Sequence, residues 1–330
     1  MRRAAWVGAA LLLALTTACG LAPEAAPDDA AATSEASAPA PPSTGERQRQ
    51  DDGPIEVPEP TAAPSSTPSQ PVVPTRDPLA DLVEDIEIAD EPVLGADVSW
   101  PQCEPGLGIP QKRSHGGPMP VPEAEYVVVG LTNGPGFYPN PCLADQVEWV
   151  RSRGLMIGAY AVASYPEQRF VDELGADGPY DGSTELGALA NTGYQQALYN
   201  VGLMKDAGLL TPLVWIDVEP VPDFEWSADR EANASVVAGV ARGYQDAGYA
   251  IGVYSTPYLW EGVVGDFSLG VPEWRAAGQT SREEALGRCG EDWVIQGGAA
   301  VMGQWVQDAR DMNVTCPGIA TDLSAWFHRY

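Results

Sequence analysis

The stretch Leu213-Val214-Trp215-Ile216-Asp217-Val218-Glu219-Pro220 constrains the fold of this chain more than any other. Four apolar residues in a row predict a strand buried on both faces, of the kind found inside a parallel sheet covered by helices. The two acids at its end then lie where such a sheet opens to solvent, the place where α/β folds keep their chemistry. Side chains alternate along a strand, so Asp217 and Glu219 point the same way, roughly 6 to 7 Å apart, and Val218 points oppositely. Two carboxylates in one pocket repel each other. One of them is then held protonated near neutral pH, the condition for a general acid facing a carboxylate. The alternative for this stretch alone is a solvated Asp-x-Glu that caps the next helix.

From Leu94 onward, apolar runs alternate with amphipathic stretches, the pattern of repeated β/α units. Strands are predicted from Leu94 to Trp100, Tyr126 to Leu131, Leu155 to Val162, Leu213 to Asp217 and Tyr249 to Tyr254. Helices are predicted from Cys142 to Arg153, Thr184 to Ala207, Arg230 to Ala247 and Thr256 to Val264. The pattern weakens over residues 265–299, where short strands are expected around Trp274 and at Trp293 to Gln296. Val301 to Val306 and Ile319 to Leu323 read as closing strands. Seven or eight strands in about 235 residues fit an α/β class fold, a TIM-like (β/α) barrel, irregular towards its C-terminal end. An open doubly wound sheet is the alternative. No Gly-x-Gly-x-x-Gly or Walker loop follows the first strand, so nucleotide binding has no support and no cofactor is implied.

Residues before this region read differently. Met1-Arg2-Arg3, an apolar run from Ala4 to Leu15 too short to span a bilayer, and the small residues up to Ala18 form a signal peptide over 1–18. Cys19 directly after small residues resembles the bacterial lipobox, in which that Cys receives a diacylglycerol and becomes the mature N-terminus. The resemblance implies lipidation at Cys19 and a place at the cell membrane, anchored on the extracytoplasmic face. Thr16 stands where the motif usually has Leu, with Leu15 one place earlier. Ordinary secretion with a free Cys19 is the alternative. Residues 19–92 are rich in Pro, Ala, Ser, Thr, Asp and Glu with hardly an aromatic, so no core forms there. A linker of about 60 such residues spans on the order of 45 Å as a coil and up to about 180 Å extended. A short acidic helix could form from Leu79 to Ile88, and the folded domain is expected over 93–330.

Of five Cys, Cys19 is the odd one, which leaves Cys103, Cys142, Cys289 and Cys316 as an even set in an exported chain. Four Cys allow three connectivities. Cys103 with Cys142 and Cys289 with Cys316 each close a local loop, worth about 4 and about 3.5 kcal/mol by chain entropy. His115 and His328 join no cluster with these Cys, so no metal site is expected. The formal charge of −28 argues against nucleic acid as a partner, and it would also repel an anionic wall or membrane face. Retention at the envelope would then rest on acyl chains rather than on charge.

The motifs resemble those of the family 25 glycoside hydrolases, muramidases that cut the β-1,4 bond between N-acetylmuramic acid and N-acetylglucosamine, and they run in the family's order from Gly95 to Phe327. Gly95-Ala96-Asp97-Val98-Ser99 is similar to the opening strand with its active-site Asp. Gly158-Ala159-Tyr160 resembles the third-strand tyrosine segment, and Trp215 to Glu219 the Asp-x-Glu centre. Gly252-Val253-Tyr254-Ser255, the pair Gln304-Trp305 and Asp322-Leu323 resemble the later elements. The resemblance implies that Glu219 is the general acid, that Asp217 orients or polarises the sugar's acetamido group, and that Asp97 and Asp322 complete the catalytic set; water activated by a carboxylate in an inverting displacement is the alternative. It assigns Tyr160, Tyr254, Gln304 and Trp305 to substrate binding. Trp100, Trp215, Trp260 and Trp274 read as core.

There are departures. The family's Lys-Ala-Thr-Glu-Gly is Gly130-Leu131-Thr132-Asn133-Gly134 here, and Ala161 stands in place of a His. The final Asp-x-Asn reads Asp322-Leu323-Ser324, and residues 265–299 and four Cys exceed the usual domain. The first functional expectation is a lipid-anchored wall hydrolase with peptidoglycan, or a related amino-sugar glycan, as its partner. A second is a glycan-binding envelope lipoprotein that kept the barrel and lost turnover, and a third a structural lipoprotein whose loops bind a protein partner. The four carboxylates favour the first, and the lost Lys, Glu and His favour the second.

Overall fold

The computed structural model describes residues 91–330, so the signal peptide, Cys19, the acidic segment from Leu79 to Ile88 and nearly all of the linker lie outside the described residues. Eight strands close a ring: β1 (Leu94–Val98), β2 (Tyr126–Gly130), β3 (Met156–Val162), β4 (Leu213–Asp217), β5 (Ala250–Ser255), β6 (Glu273–Ala276), β7 (Ala300–Gln307) and β8 (Arg310–Thr315). Each pairs with its neighbour in sequence, and β8 returns to pair with β1. Strands β1 to β7 run parallel. β8 runs antiparallel to both of its neighbours, which is the irregularity expected at the C-terminal end. A two-residue strand β9 (His328–Arg329) pairs antiparallel with the start of β3.

The helices are α1 (Leu143–Ser152), α2 (Gln168–Leu174), α3 (Glu185–Ala207), α4 (Arg230–Asp246), α5 (Pro257–Val264) and α6 (Arg282–Gly287). Their starts obey capping chemistry. Thr184, Asp229, Thr256 and Ser281 each accept a backbone N–H from the first turn of their helix, satisfying donors the helix itself cannot pair.

The unbroken apolar runs of the strands serve two cores. Val127, Val129, Ile157, Val214, Ile216 and Val253 face outward onto Val147, Val201, Val236 and Val240 of the helices. Tyr126, Val128, Leu213, Trp215, Trp274 and Met302 face inward and fill the barrel, where Phe327 stacks on Tyr126 with ring centroids 4.2 Å apart. Trp215 fits because Gly252 on the adjacent strand lacks a side chain; a Cβ there would strike the indole ring. A third cluster, with Trp305, Met312, Val314 and Ala285, packs the outer face of the β7–β8 hairpin.

Two strand expectations are corrected. Ile319 to Leu323 lies in a 3-10 helix, Ile319–Ala325, and the eighth strand is Arg310–Thr315, whose alternating polar residues hid it. β7 and β8 are joined by Asp308 and Ala309 alone, with φ of 51° and 57°, between the paired residues Gln307 and Arg310. Both φ values match a two-residue type I′ hairpin turn. Trp293 to Gln296 forms no strand: Glu291–Trp293 is a 3-10 turn, and the next residues are held by side-chain bonds instead. Ile295 N, Gln296 N and Gly298 N all donate to the buried Glu273 carboxylate, which is paired with Arg275 at 2.7 Å. Both disulfides, Cys103–Cys142 and Cys289–Cys316, are formed.

Candidate active site

A cleft of about 850 Å³ opens at the end of the barrel where the parallel strands finish. Asp97 of β1, Tyr160 of β3, Asp217 and Glu219 at the end of β4, Tyr254 of β5, Trp274 of β6, Gln304 of β7 and Asp311 of β8 line it. Strand alternation carries past the end of β4: Asp217 and Glu219 turn into the cleft while Val218 joins the outer core. The segment between them is pinned from both sides. Val218 N donates to Tyr254 O at 3.0 Å, Ser255 Oγ donates to Val218 O at 2.6 Å, and the Trp226 indole donates to Glu219 O at 3.0 Å.

Asp97 is oriented by a fixed chain of hydrogen bonds. The Trp274 indole, which can only donate, gives its N–H to Asn313 Oδ1 at 2.8 Å, so the amide of Asn313 must face Asp97 with its NH₂, at 2.8 Å. From the other side Tyr254 Oη donates to Gln304 Oε1 at 2.7 Å, and Gln304 Nε2 donates to the same Asp97 oxygen at 3.0 Å. Trp274 also floors the cleft, edge-on to Tyr160 at 5.8 Å and tilted against Tyr254 at 4.5 Å.

The carboxylates raise one another's proton affinity. Burial pushes Asp217 well above the ordinary carboxylate range, and the charges of Glu219 and Asp97 add to it. Burial also raises Asp97, with Asp311 adding and the two amide donors opposing. Glu219 is raised by burial and by Asp311, against a smaller lowering by Lys112, and Asp311 is raised by its burial. All four acids, not Glu219 alone, are thus raised, and in each desolvation weighs more than repulsion. Glu219 is the more exposed, half-buried member of the β4 pair, whereas Asp217 is only 3% exposed and its Oδ1 has no hydrogen-bond partner among the described residues.

Two residues assigned from the sequence are not brought to the cleft. Asp322 is exposed in the Ile319–Ala325 helix; Ser324, two residues on, lines a hollow with Leu210, Pro212 and Tyr249, which precede β4 and β5 at the opposite end of the barrel. The reversal of β8 is the cause: its first residues share the end of β1 that carries Asp97, and the chain leaving its last residue emerges at the other end. The fourth carboxylate that the strands bring to the cleft is Asp311, whose Cα is paired with that of Asp97. Asp311-Met312-Asn313 is itself an Asp-x-Asn, the signal that could have found it. Trp305 is 2% exposed in the outer cluster, because Gln304 takes the inward position and its neighbour must face away. The cleft walls also hold Trp100, Lys112, Arg288 and Trp293, and Arg288 lies 3.2 Å over the Trp293 ring.

Where the resembled family carries Lys and Glu, this fold has no room for one and another use for the other. A Cβ on Gly130 would come within 2.8 Å of the Tyr160 ring, and Asn133 is fully buried with both ends of its amide bonded to the loop at 109–112.

A family model described as Lysozyme-like protein 1 matches residues 186–283, from the start of α3 into α6. The probable GH family 25 lysozyme 4 of Dictyostelium discoideum is 35% identical over 66 residues, which is 19% of this chain and 30% of that protein's length. Among solved structures, the muramidase from Trichobolus zukalii is 17% identical with a TM-score of 0.46, covering 71% of this chain and 99% of its own. The modular autolysin LytC from Streptococcus pneumoniae, solved with a synthetic peptidoglycan ligand, is 13% identical with a TM-score of 0.40, covering 68% and 46%. The chain thus carries a domain of lysozyme-like fold, similar to the family 25 glycoside hydrolases.

Proposed function

We propose that this domain is a glycoside hydrolase that cuts the glycan strands of peptidoglycan, with Glu219 as general acid and Asp217 assisting. The observation that carries the reading is the Asp217–Glu219 pair, turned into one cleft at a strand end with both carboxyls held above their usual proton affinity. Glu219 is the more exposed, so it can reach a glycosidic oxygen and deliver its proton to the leaving group. The unpartnered Oδ1 of Asp217 can accept the N–H of a 2-acetamido group and so push electron density onto its carbonyl, which attacks the anomeric carbon. Asp97, fixed by Asn313 and Gln304, and Asp311 beside it would hold sugar hydroxyls and keep the pair's protons in place. Tyr160, Tyr254 and Gln304 line the same wall as candidate sugar contacts.

In this reading residues 1–18 are removed as a signal peptide, Cys19 is lipidated, and 19–92 form the tether of a barrel held outside the cytoplasmic membrane. The test is digestion of purified peptidoglycan with identification of the new reducing ends. Wild type should release muropeptides ending in N-acetylmuramic acid, and Glu219→Gln, which keeps the shape but has no acidic proton, should release at least a hundredfold less. A wild type that binds the glycan and releases nothing would make the domain a binding module instead.

A further inference from the structure

The chain is strongly acidic, and five carboxylates, those of Asp97, Asp217, Glu219, Asp292 and Asp311, line the cleft. Two cations line it with them, Lys112 and Arg288. Arg288 is already engaged: its Nη2 lies 2.8 Å from the Glu284 carboxylate and its guanidinium covers the Trp293 ring. Lys112 is not. Among the described residues its ammonium makes no hydrogen bond or ion pair, although it is close enough to Glu219 to lower that group's proton affinity.

The loop that carries Lys112 is built to present it. Lys112 O accepts from Asn133 Nδ2 at 3.1 Å, Lys112 N donates to Ile109 O at 3.0 Å, and Ile109 N donates to Asn133 Oδ1 at 2.6 Å. The Cys103–Cys142 disulfide closes the segment to which the loop belongs. The side chain is steered as well: its stem lies over Gly134, where an added Cβ would touch Lys112 Cγ at 3.4 Å and Cε at 3.7 Å. A lysine usually spends rotamer freedom to meet an anion; here backbone and stem are already placed, so less remains to be lost.

We propose that Lys112 is a specificity-determining residue that binds a carboxylate carried by the substrate, so that the cleft takes an acidic amino-sugar glycan in preference to a neutral one. The inference rests on the reading of the cleft as a glycan site and adds the class of glycan to it. Against five acids, a neutral glycan has no need of a free ammonium, whereas an anionic one would be repelled without it. The carboxylate could be the lactyl group of a muramic sugar or belong to an attached peptide. The chemistry Lys112 offers is the same for both.

The test is titration calorimetry on Glu219→Gln protein, with and without Lys112→Met, which keeps the stem over Gly134 and removes the charge. Four length-matched probes are used: chitotetraose, a muramyl tetrasaccharide with free lactyl carboxylates, the same sugar with those groups as neutral amides, and a peptide-bearing form whose carboxylates lie on the peptide. Lys112→Met should weaken the free-acid sugar about tenfold, the usual scale for a lost charge-assisted bond, and leave chitotetraose and the neutral amide unchanged. Lys112→Arg should restore most of the loss. A tenfold loss confined to the peptide-bearing sugar supports the inference and places the carboxylate on the peptide. If every sugar binds and Lys112→Met alters none, or alters neutral and acidic sugars alike, the inference falls and the glycan reading stands. If no sugar binds either protein, both fall.

Discussion

Changing Asn313 to Asp alters one atom of the chain of bonds that orients Asp97, and its cost can be worked out from the geometry. The variant keeps an acceptor for the Trp274 indole but replaces the NH₂ that donates to Asp97 at 2.8 Å with a second carboxylate oxygen. Two ionised carboxylates about 3 Å apart would repel by about 5 kcal/mol at an effective dielectric constant near 20. The pair can avoid this by keeping a shared proton, at about 1.4 kcal/mol for each pH unit above the point where the unfolded chain releases it. The new pair's proton affinity is raised in the folded state, so its contribution is fully present below the unfolded value and is lost as pH rises. The penalty should therefore be about 1 kcal/mol near pH 4.5 and approach about 5 kcal/mol near pH 7.5, a large part of the roughly 5–15 kcal/mol that holds a domain together. Urea unfolding of variant and wild type at the two pH values measures it. The difference between the proteins is the readout, because the raised native carboxylates tilt wild-type stability in the same direction. Equal penalties at the two pH values, or none at either, would refute the network as described.

Two further outcomes are expected. Asp311→Asn should lower glycan release from peptidoglycan at least tenfold while Asp322→Asn stays within twofold of wild type; the reverse order would return the fourth carboxylate to Asp322. Cys19→Ala should move the protein from the membrane fraction to the medium or leave it unprocessed, and mass spectrometry of the first peptide of wild type should find acyl chains on Cys19.

The parts of this fold that were legible are those where one residue property decides the outcome. The apolar runs at Tyr126–Gly130 and Leu213–Asp217 are buried on both faces, so composition alone marks them as inner strands. The helix starts expected at Thr184, Arg230 and Thr256 lie within a residue of those observed, where Thr184, Asp229 and Thr256 cap the first turns. Asp97, Asp217, Glu219, Tyr160, Tyr254 and Gln304, expected at one site, do line one cleft. The features that escaped depend on tertiary context. β8 is a strand of alternating polar and apolar residues, Arg-Asp-Met-Asn-Val-Thr, because its inward face serves the cleft rather than a core. Its direction cannot be read from hydropathy, and with the direction went the choice between Asp311 and Asp322. Gln304 and Trp305 are assigned together as a pair by the resemblance, yet adjacent residues on a strand face opposite sides. Lys112 carried no local signal at all, since its position comes from a loop gripped by Asn133.

The two-residue turn at Asp308 and Ala309 has a bearing on how this sequence can change over evolutionary time. Loops are ordinarily where a lineage gains and loses residues. Here one residue added or removed would shift β8 by one place against β7 and β1, sending Asp311 and Asn313 outward and Met312 and Val314 into the cleft. An exposed turn that lines no part of the cleft is thereby held to a fixed length as strictly as the carboxylates are held to their identity. Substitution remains open to it where insertion does not: Ala309, at a φ of 57°, sits in a conformation that costs a side chain roughly 1 kcal/mol, so Gly would be tolerated there and β-branched residues would not. Related sequences should therefore vary in the letters of this turn and agree in its length.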